Sequence, residues 1–396
     1  MPGFELFGNK ERKEVTDVLS TGVLMRYGFD GARNGHYKAL EFEQTLCEIT
    51  GSAHSHLCSS GTAALSTAMA ACGIGAGDEV IVPPFTFVAT FEAVLQAGAV
   101  PVFSEIDDTL CLNPDRLEAV LTPKTRAVVP VHMCGAMARI DEIKHFCGQK
   151  GLVLLEDACQ SLGATFKGKH LGTFGRAGCF SFDAVKTVTC GEGGAVITDD
   201  QDVYDRCHQF ADHGHDHLGG PDRGADGHHI LGINYRISEL NAAVGLAQLR
   251  KLDQILAIQR RHKQVLKDAM AGLPGVSFRL LPDPAGDSAT FLSFMLPTED
   301  KARQAAKALA ENQVPCPYWY DNNWHYFRKW DHLKTMKSAA PMAAQLCPNL
   351  PDYSTVQVPE SDAVMKRTLS MQIMLSWTEQ ELDRRVAAVR TALKHI

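Results

Sequence analysis

The chain has 396 residues, 45% of them hydrophobic and 21% charged, with a formal net charge of −7. That length asks for two domains, or one large domain with an appendage. The negative balance argues against a nucleic-acid partner, which would need a basic face. The first fifteen residues are charged where an export signal is apolar, and no apolar run reaches the length of a membrane span. None of the twelve cysteines forms a CxxC pair, so zinc-ribbon spacing is absent and a reducing cytoplasm is the expected setting.

In chain order, residues 39–49 carry the spacing of an amphipathic helix. A short strand then ends at Ser59-Ser60-Gly61, followed by a helix from Thr62 to Ala71, a strand at 79–82, a helix from Ala89 to Gln96 and a strand at 100–103. Strands at 126–131, 152–156, 178–182 and 194–198, with a helix at 139–149, continue the pattern, which indicates α/β units on a mostly parallel sheet. Residues 212–232 are rich in Gly and His and read as an ordered functional loop or a mobile one. After about residue 235 one long helical stretch leads from a large domain, 1–254, into a smaller α+β domain, 255–396. There, strands are expected near 277–281 and 290–296, and helices near 299–311, 361–368 and 378–394.

Three segments carry chemistry. Ser60-Gly61-Thr62 opens a helix, whose free N–H groups and positive dipole end suit a phosphate; a plain helix cap explains the same residues. Glu156-Asp157-Ala158-Cys159-Gln160 follows an apolar strand, at the carboxyl end where such sheets bind ligands. A carboxylate there can pair with a protonated pyridine nitrogen, or either acid can cap the next helix. In CFSFDAVKTVTCGEGGAVIT a strand carrying Ser181 is followed by Lys186 and a glycine turn. A lysine so placed can bond an aldehyde cofactor, and Ser181 can donate to its phosphate; the alternative is a surface lysine beside a turn.

Taken in this order, with PPFTFVAT and NYRISELNAAVGLAQL, these segments resemble the DegT/DnrJ/EryC1/StrS sugar aminotransferases over nearly the whole chain. The resemblance implies the aspartate-aminotransferase fold, which is fold type I, and pyridoxal 5'-phosphate as cofactor. It implies that Lys186 is the Schiff-base lysine and Asp157 the partner of the pyridine nitrogen. Gln160 would lie near the phenolic oxygen, Gly61, Thr62 and Ser181 at the phosphate, and Phe87 against the ring. Asn234 would reach the phosphate of a neighbouring subunit, which implies a homodimer with shared sites. More narrowly, GVLMRYGFDGARNGH, FSFDAVKT and ADHGHDH are similar to members that move an amino group from glutamate to the C8 aldehyde of a 3,8-dideoxy-octulosonate. Arg26 and Arg33 are then candidates for a sugar carboxylate, and His215 and His325 for further sugar contacts. A nucleotide-linked keto-hexose is the alternative substrate. A dehydrating relative would carry histidine in place of Lys186, and a non-catalytic relative would not need the intact set. The histidines at 213–229 have no acidic or cysteine cluster of fixed spacing beside them, so no metal is expected.

Overall fold

Alternating strands and helices build a seven-stranded sheet in the computed structural model of the chain, which describes residues 3–218, 223–394 and 396. The strands are β1 (His54–Cys58), β2 (Glu79–Val82), β3 (Val100–Phe103), β4 (Thr125–Val128), β5 (Val153–Asp157), β6 (Ala177–Ser181) and β7 (Gly194–Thr198), in the spatial order β1-β7-β6-β5-β4-β2-β3. Every pairing is parallel except those of β7, which runs against both β1 and β6. All residues of β2, β6 and β7 are buried, as expected of strands covered on both faces.

The helices flanking this sheet are α1 (Asn9–Thr21), α2 (Lys38–Thr50), α3 (Gly61–Ala71), α4 (Ala89–Gln96), α5 (Ile140–Lys150), α6 (Gln201–Phe210) and α7 (Glu239–Leu249). The alanine-rich α3 is buried along most of its length and lies across β6 and β7. Its small side chains let the helix axis approach the sheet, which brings its first turn close to the strand ends. Gly245 of α7 serves a similar purpose: a Cβ there would stand 2.9 Å from the Phe42 ring of α2 at one atom and closer still at another.

The expected single helix after residue 235 is two. After α7 the chain turns at Arg250 and Lys251, and α8 (Leu252–Met270) departs. The break has a tertiary cause. The buried Lys251 ammonium pairs with Glu11 of α1 and donates to the Leu6 carbonyl, which anchors the turn. Beyond it lie β8 (Ser277–Phe278), β9 (Phe291–Met295) and β10 (Thr368–Gln372), with α9 (Glu299–Glu311), α10 (Pro359–Met365) and α11 (Glu379–Leu393). The antiparallel sheet β8-β9-β10 packs on α8, α9 and α11. The helix expected at 361–368 stops at Met365, and β10, which the sequence pattern does not announce, begins three residues later. The chain also returns to the large sheet. Tyr326, Phe327, Trp330 and Tyr353 join its core, with the Phe103 and Phe327 rings 4.7 Å apart. Among the described residues no helix is long and apolar enough to cross a membrane, and all twelve cysteines are free thiols.

Candidate active site

A cavity of about 400 Å³ opens at the carboxyl ends of β1, β5 and β6, bounded on the other side by Phe291 and Gln372 of the small sheet and by Trp319 and His325. One end of it is built from α3 and β6. Ser60 caps the helix, its Oγ accepting from the Ala63 N–H at 3.0 Å, which leaves the N–H groups of Gly61 and Thr62 without partners inside the helix. The cap and the phosphate readings of this segment are therefore compatible: Ser60 performs the first, and Gly61 and Thr62 are free for the second. A Cβ on Gly61 would fall 2.7 Å from Ser181 Cβ and 2.9 Å from its Oγ. Only glycine lets the helix start meet the end of β6 and leave a cradle of N–H and hydroxyl donors.

Period-two alternation separates the two acids at the end of β5. Glu156 turns away from the cavity. Its buried carboxylate accepts from the N–H groups of Gly172 (2.9 Å), Phe174 (2.6 Å) and Gly175 (2.8 Å) and pairs with the equally buried His132 Nε2 at 2.9 Å. Asp157 faces the cavity. Thr90 Oγ1 donates to its Oδ2 at 2.7 Å, and the Cys159 N–H donates to its Oδ1 at 3.1 Å. Thr90 is in turn 2.7 Å from the Thr86 hydroxyl, so a buried hydroxyl pair in PPFTFVAT fixes the acid. Gln160 is held by the Cys134 N–H, which donates to its Oε1 at 3.1 Å.

Lys186 enters the cavity from the connection between β6 and β7. Its N–H donates to the Asp183 carbonyl and its carbonyl accepts from the Gly3 N–H, each at 3.0 Å. Phe87 lines the opposite wall, its ring 5.4 Å from His325 and stacked at 5.7 Å on Trp324. His325 is held neutral: burial, and then the Lys186 charge, lower its pKa to about 4. Lys186 is the only lysine or arginine among the lining residues, against Asp157, Asp183 and Glu192.

The structure thus brings together Gly61, Thr62, Phe87, Asp157, Gln160, Ser181, Lys186 and His325. It does not bring Arg26, Arg33, His215 or Asn234 to this cavity. The two arginines, which the sequence points at a ligand carboxylate, are spent within the fold. Arg26 is buried, donating to Glu43 at 2.7 Å and to the Leu57 carbonyl at 3.0 Å. Arg33 is buried, donating to the carbonyls of Gly28 and Met25 and facing Glu239 at 3.5 Å. His215 lies beside Asp226 at 3.4 Å, its ring 4.1 Å from that of His228. Asn234 is exposed. Among the described residues no group of three or more His, Cys, Asp or Glu side chains is placed to hold a metal. Thr86, Thr90, Trp319, Glu192 and Gln372 belong to the cavity without having been singled out. Of these only the threonines left a trace in the sequence, two hydroxyls one helical turn apart in an otherwise apolar motif.

A lysine, a hydrogen-bonded acid and a phosphate cradle at the strand ends of this sheet define a sugar aminotransferase that depends on pyridoxal 5'-phosphate. Residues 7–367 match the DegT/DnrJ/EryC1/StrS aminotransferase family, and the chain belongs to it. Similar solved structures include an aminotransferase from Psychrobacter cryohalolentis, with 27% identity, 98% of each chain covered and a TM-score of 0.84. NtdA from Bacillus subtilis with bound cofactor PMP is 25% identical over 99% of this chain and 84% of its own, with a TM-score of 0.80. DesI in the presence of its TDP-sugar product is 27% identical over 97% and 90%, with a TM-score of 0.78. The cofactor suits the cavity: the Gly61 cradle would be filled by any Cβ, and the buried Asp157 carboxylate is aimed inward.

Proposed function

We propose that this enzyme moves an amino group from glutamate to the C8 aldehyde of a 3,8-dideoxy-octulosonate, making the 8-amino form of Kdo, a sugar of lipopolysaccharide. The observation that carries the transamination is the meeting of Lys186 and Asp157 on one cavity whose end is the Gly61, Thr62 and Ser181 cradle. Pyridoxal 5'-phosphate, when bound, supplies an electron sink for the charge that develops on the donor's α-carbon. Lys186 would hold it covalently. With its amine free and neutral, Lys186 would take the proton off the donor's α-carbon. Asp157, fixed by Thr90 and the Cys159 N–H, keeps a proton on the pyridine nitrogen. Gly61, Thr62 and Ser181 would donate to the phosphate, Phe87 would pack on the ring, and Gln160 would lie near the phenolic oxygen.

One feature supports the finer reading of the sugar, and another the pairing of two copies. The N-terminal segment and the histidine loop that resemble the octulosonate enzymes pack on each other, Tyr27 stacking on His217 with centroids 3.9 Å apart. Beside Asn234, Leu231 is 96% exposed and Ile233 37%, an apolar surface that a second copy would cover while carrying Asn234 to its neighbour's phosphate cradle. Among the described residues no arginine lines the cavity, which favours a second reading, an acceptor without a free carboxylate such as a nucleotide-linked keto-hexose. The deciding experiment converts the enzyme to its amine form with glutamate and then offers each acceptor, following absorbance. Amination of the octulosonate aldehyde alone supports the first reading. Amination of the keto-hexose alone replaces it with the second, and failure with every amino donor would sink both.

A further inference from the structure

His325 and the asparagine three residues before it settle a question of protons. Asn322 Oδ1 accepts from the Trp324 N–H at 2.9 Å and lies 3.0 Å from His325 Nδ1. A backbone N–H can only donate, so the Asn322 atom between these two groups is the oxygen and not the amide nitrogen. An oxygen there is an acceptor, and His325 Nδ1 therefore carries a hydrogen. In a neutral ring the other nitrogen, Nε2, is then an unprotonated acceptor. Among the described residues Nε2 has no hydrogen-bond partner, while the ring lines the cavity with Lys186. The segment is held in place: the Thr86 N–H donates to the His325 carbonyl and the Val88 N–H to that of Trp324, each at 3.0 Å.

We propose that Asn322 is a positioning residue that locks His325 in its Nδ1–H tautomer, so that Nε2 offers a lone pair to an N–H or O–H donor of the bound amino donor or sugar. Burial keeps the ring neutral for this task. The charged groups around it are Lys186, Asp183 and Glu192 from the connection after β6 and Asp157 from the end of β5; the wall formed by Phe87, Phe291, Trp319 and Gln372 is uncharged.

The proposal rests on the aminotransferase reading only in its kinetic arm. The test labels the holoenzyme with 15N-histidine and reads the His325 tautomer by long-range proton–nitrogen correlation, assigned by its loss in His325→Gln. The wild type is expected to show Nδ1–H and a bare Nε2 near neutral pH. Asn322→Ala should release the ring toward Nε2–H and slow the half-reaction that uses the lone pair roughly tenfold, the scale of one hydrogen bond. Slowing with glutamate alone assigns the partner to the amino donor, and slowing with the sugar alone to a hydroxyl. Asn322→Asp retains an acceptor for Trp324 and should keep the Nδ1–H tautomer, but its charge favours the imidazolium, so the acid limb of the kcat/KM profile should move to higher pH. A wild-type ring carrying Nε2–H, or a tautomer unchanged in Asn322→Ala, would overturn the lock. A released tautomer with both half-reactions unaltered would overturn the role of Nε2. Failure of the aminotransferase reading has a different signature, a wild type that transfers no amine while its tautomer is still measurable.

Discussion

In the proposed mechanism Lys186 combines two tasks in one side chain, covalent anchor and base, and the other lining residues include no second lysine to take over either. Lys186→Ala is therefore expected to lose turnover by several orders of magnitude, measured as the single-turnover rate with glutamate, while the protein remains folded by circular dichroism. Turnover near wild type would remove Lys186 from the chemistry. That Lys186, Asp157, Gly61 and Ser181 share one cavity was readable, because each stands near a strand end or helix start where backbone geometry already favours a ligand. The buried pairing of Arg26 and Arg33 was not legible, because an arginine in a glycine-rich segment looks the same in sequence whether it grips a ligand or a buried acid. Their partners include Glu43 and Glu239, and the second lies some two hundred residues away. Trp319 and Gln372 reach the cavity only because the small sheet folds over it, which no local pattern reports.

Elements were legible where they are local. The α/β alternation up to β7 follows from apolar runs broken by turns, and its observed boundaries lie close to the expected ones. The break at Lys251 and strand β10 were not legible, since one depends on Glu11 and the other on pairing with β9. The same long-range logic makes Glu156 a structural keystone. Glu156→Ala would leave three backbone donors and His132 without their acceptor, so a loss of about 3 kcal/mol or more is expected in urea unfolding. A loss under about 1 kcal/mol would show that water replaces the carboxylate. The junction of α6 with the histidine loop has a pH signature. Burial first, and then the nearby Arg26 and His217 charges, lower the His208 pKa to about 3. His56 lies well below its usual range for the same first reason and because of Arg26. Tyr27, Tyr204 and Asp212 also face this junction. Groups with depressed folded values contribute stability that is full above about pH 6.5, the unfolded value, and is lost as pH falls from there toward 3. His208→Gln should flatten this part of the stability profile. An unchanged slope would place the acid sensitivity elsewhere.

At the scale of the whole molecule, the wall of one chain offers a phosphate hydroxyl and N–H donors but little positive charge, and beside Asn234 it exposes Leu231 and Ile233. Leu231→Asp should shift a dimer toward monomer in sedimentation and weaken cofactor binding together with it. A monomer that binds cofactor as tightly as the wild type would mean that one chain is a complete site.

The pairing of β7 has a further consequence. Its first residue, Gly194, stands opposite Cys58 of β1 on one side and Ser181 of β6 on the other, and a Cβ there would collide with the Ser60 carbonyl. The alignment of β7 and the docking of α3 are therefore coupled at this crossing. A chain whose β7 has slipped so that Ala195 takes the place of Gly194 would put a side chain into it, and the slip would exchange residues between the two covered faces of the strand. Cofactor binding at the proposed cradle would then report on strand alignment, since Gly61, Ser181 and Gly194 meet there only with β7 in register. In refolding experiments, recovery of cofactor binding should coincide with protection of the β7 amides from hydrogen exchange and should not trail it as a separate, later phase.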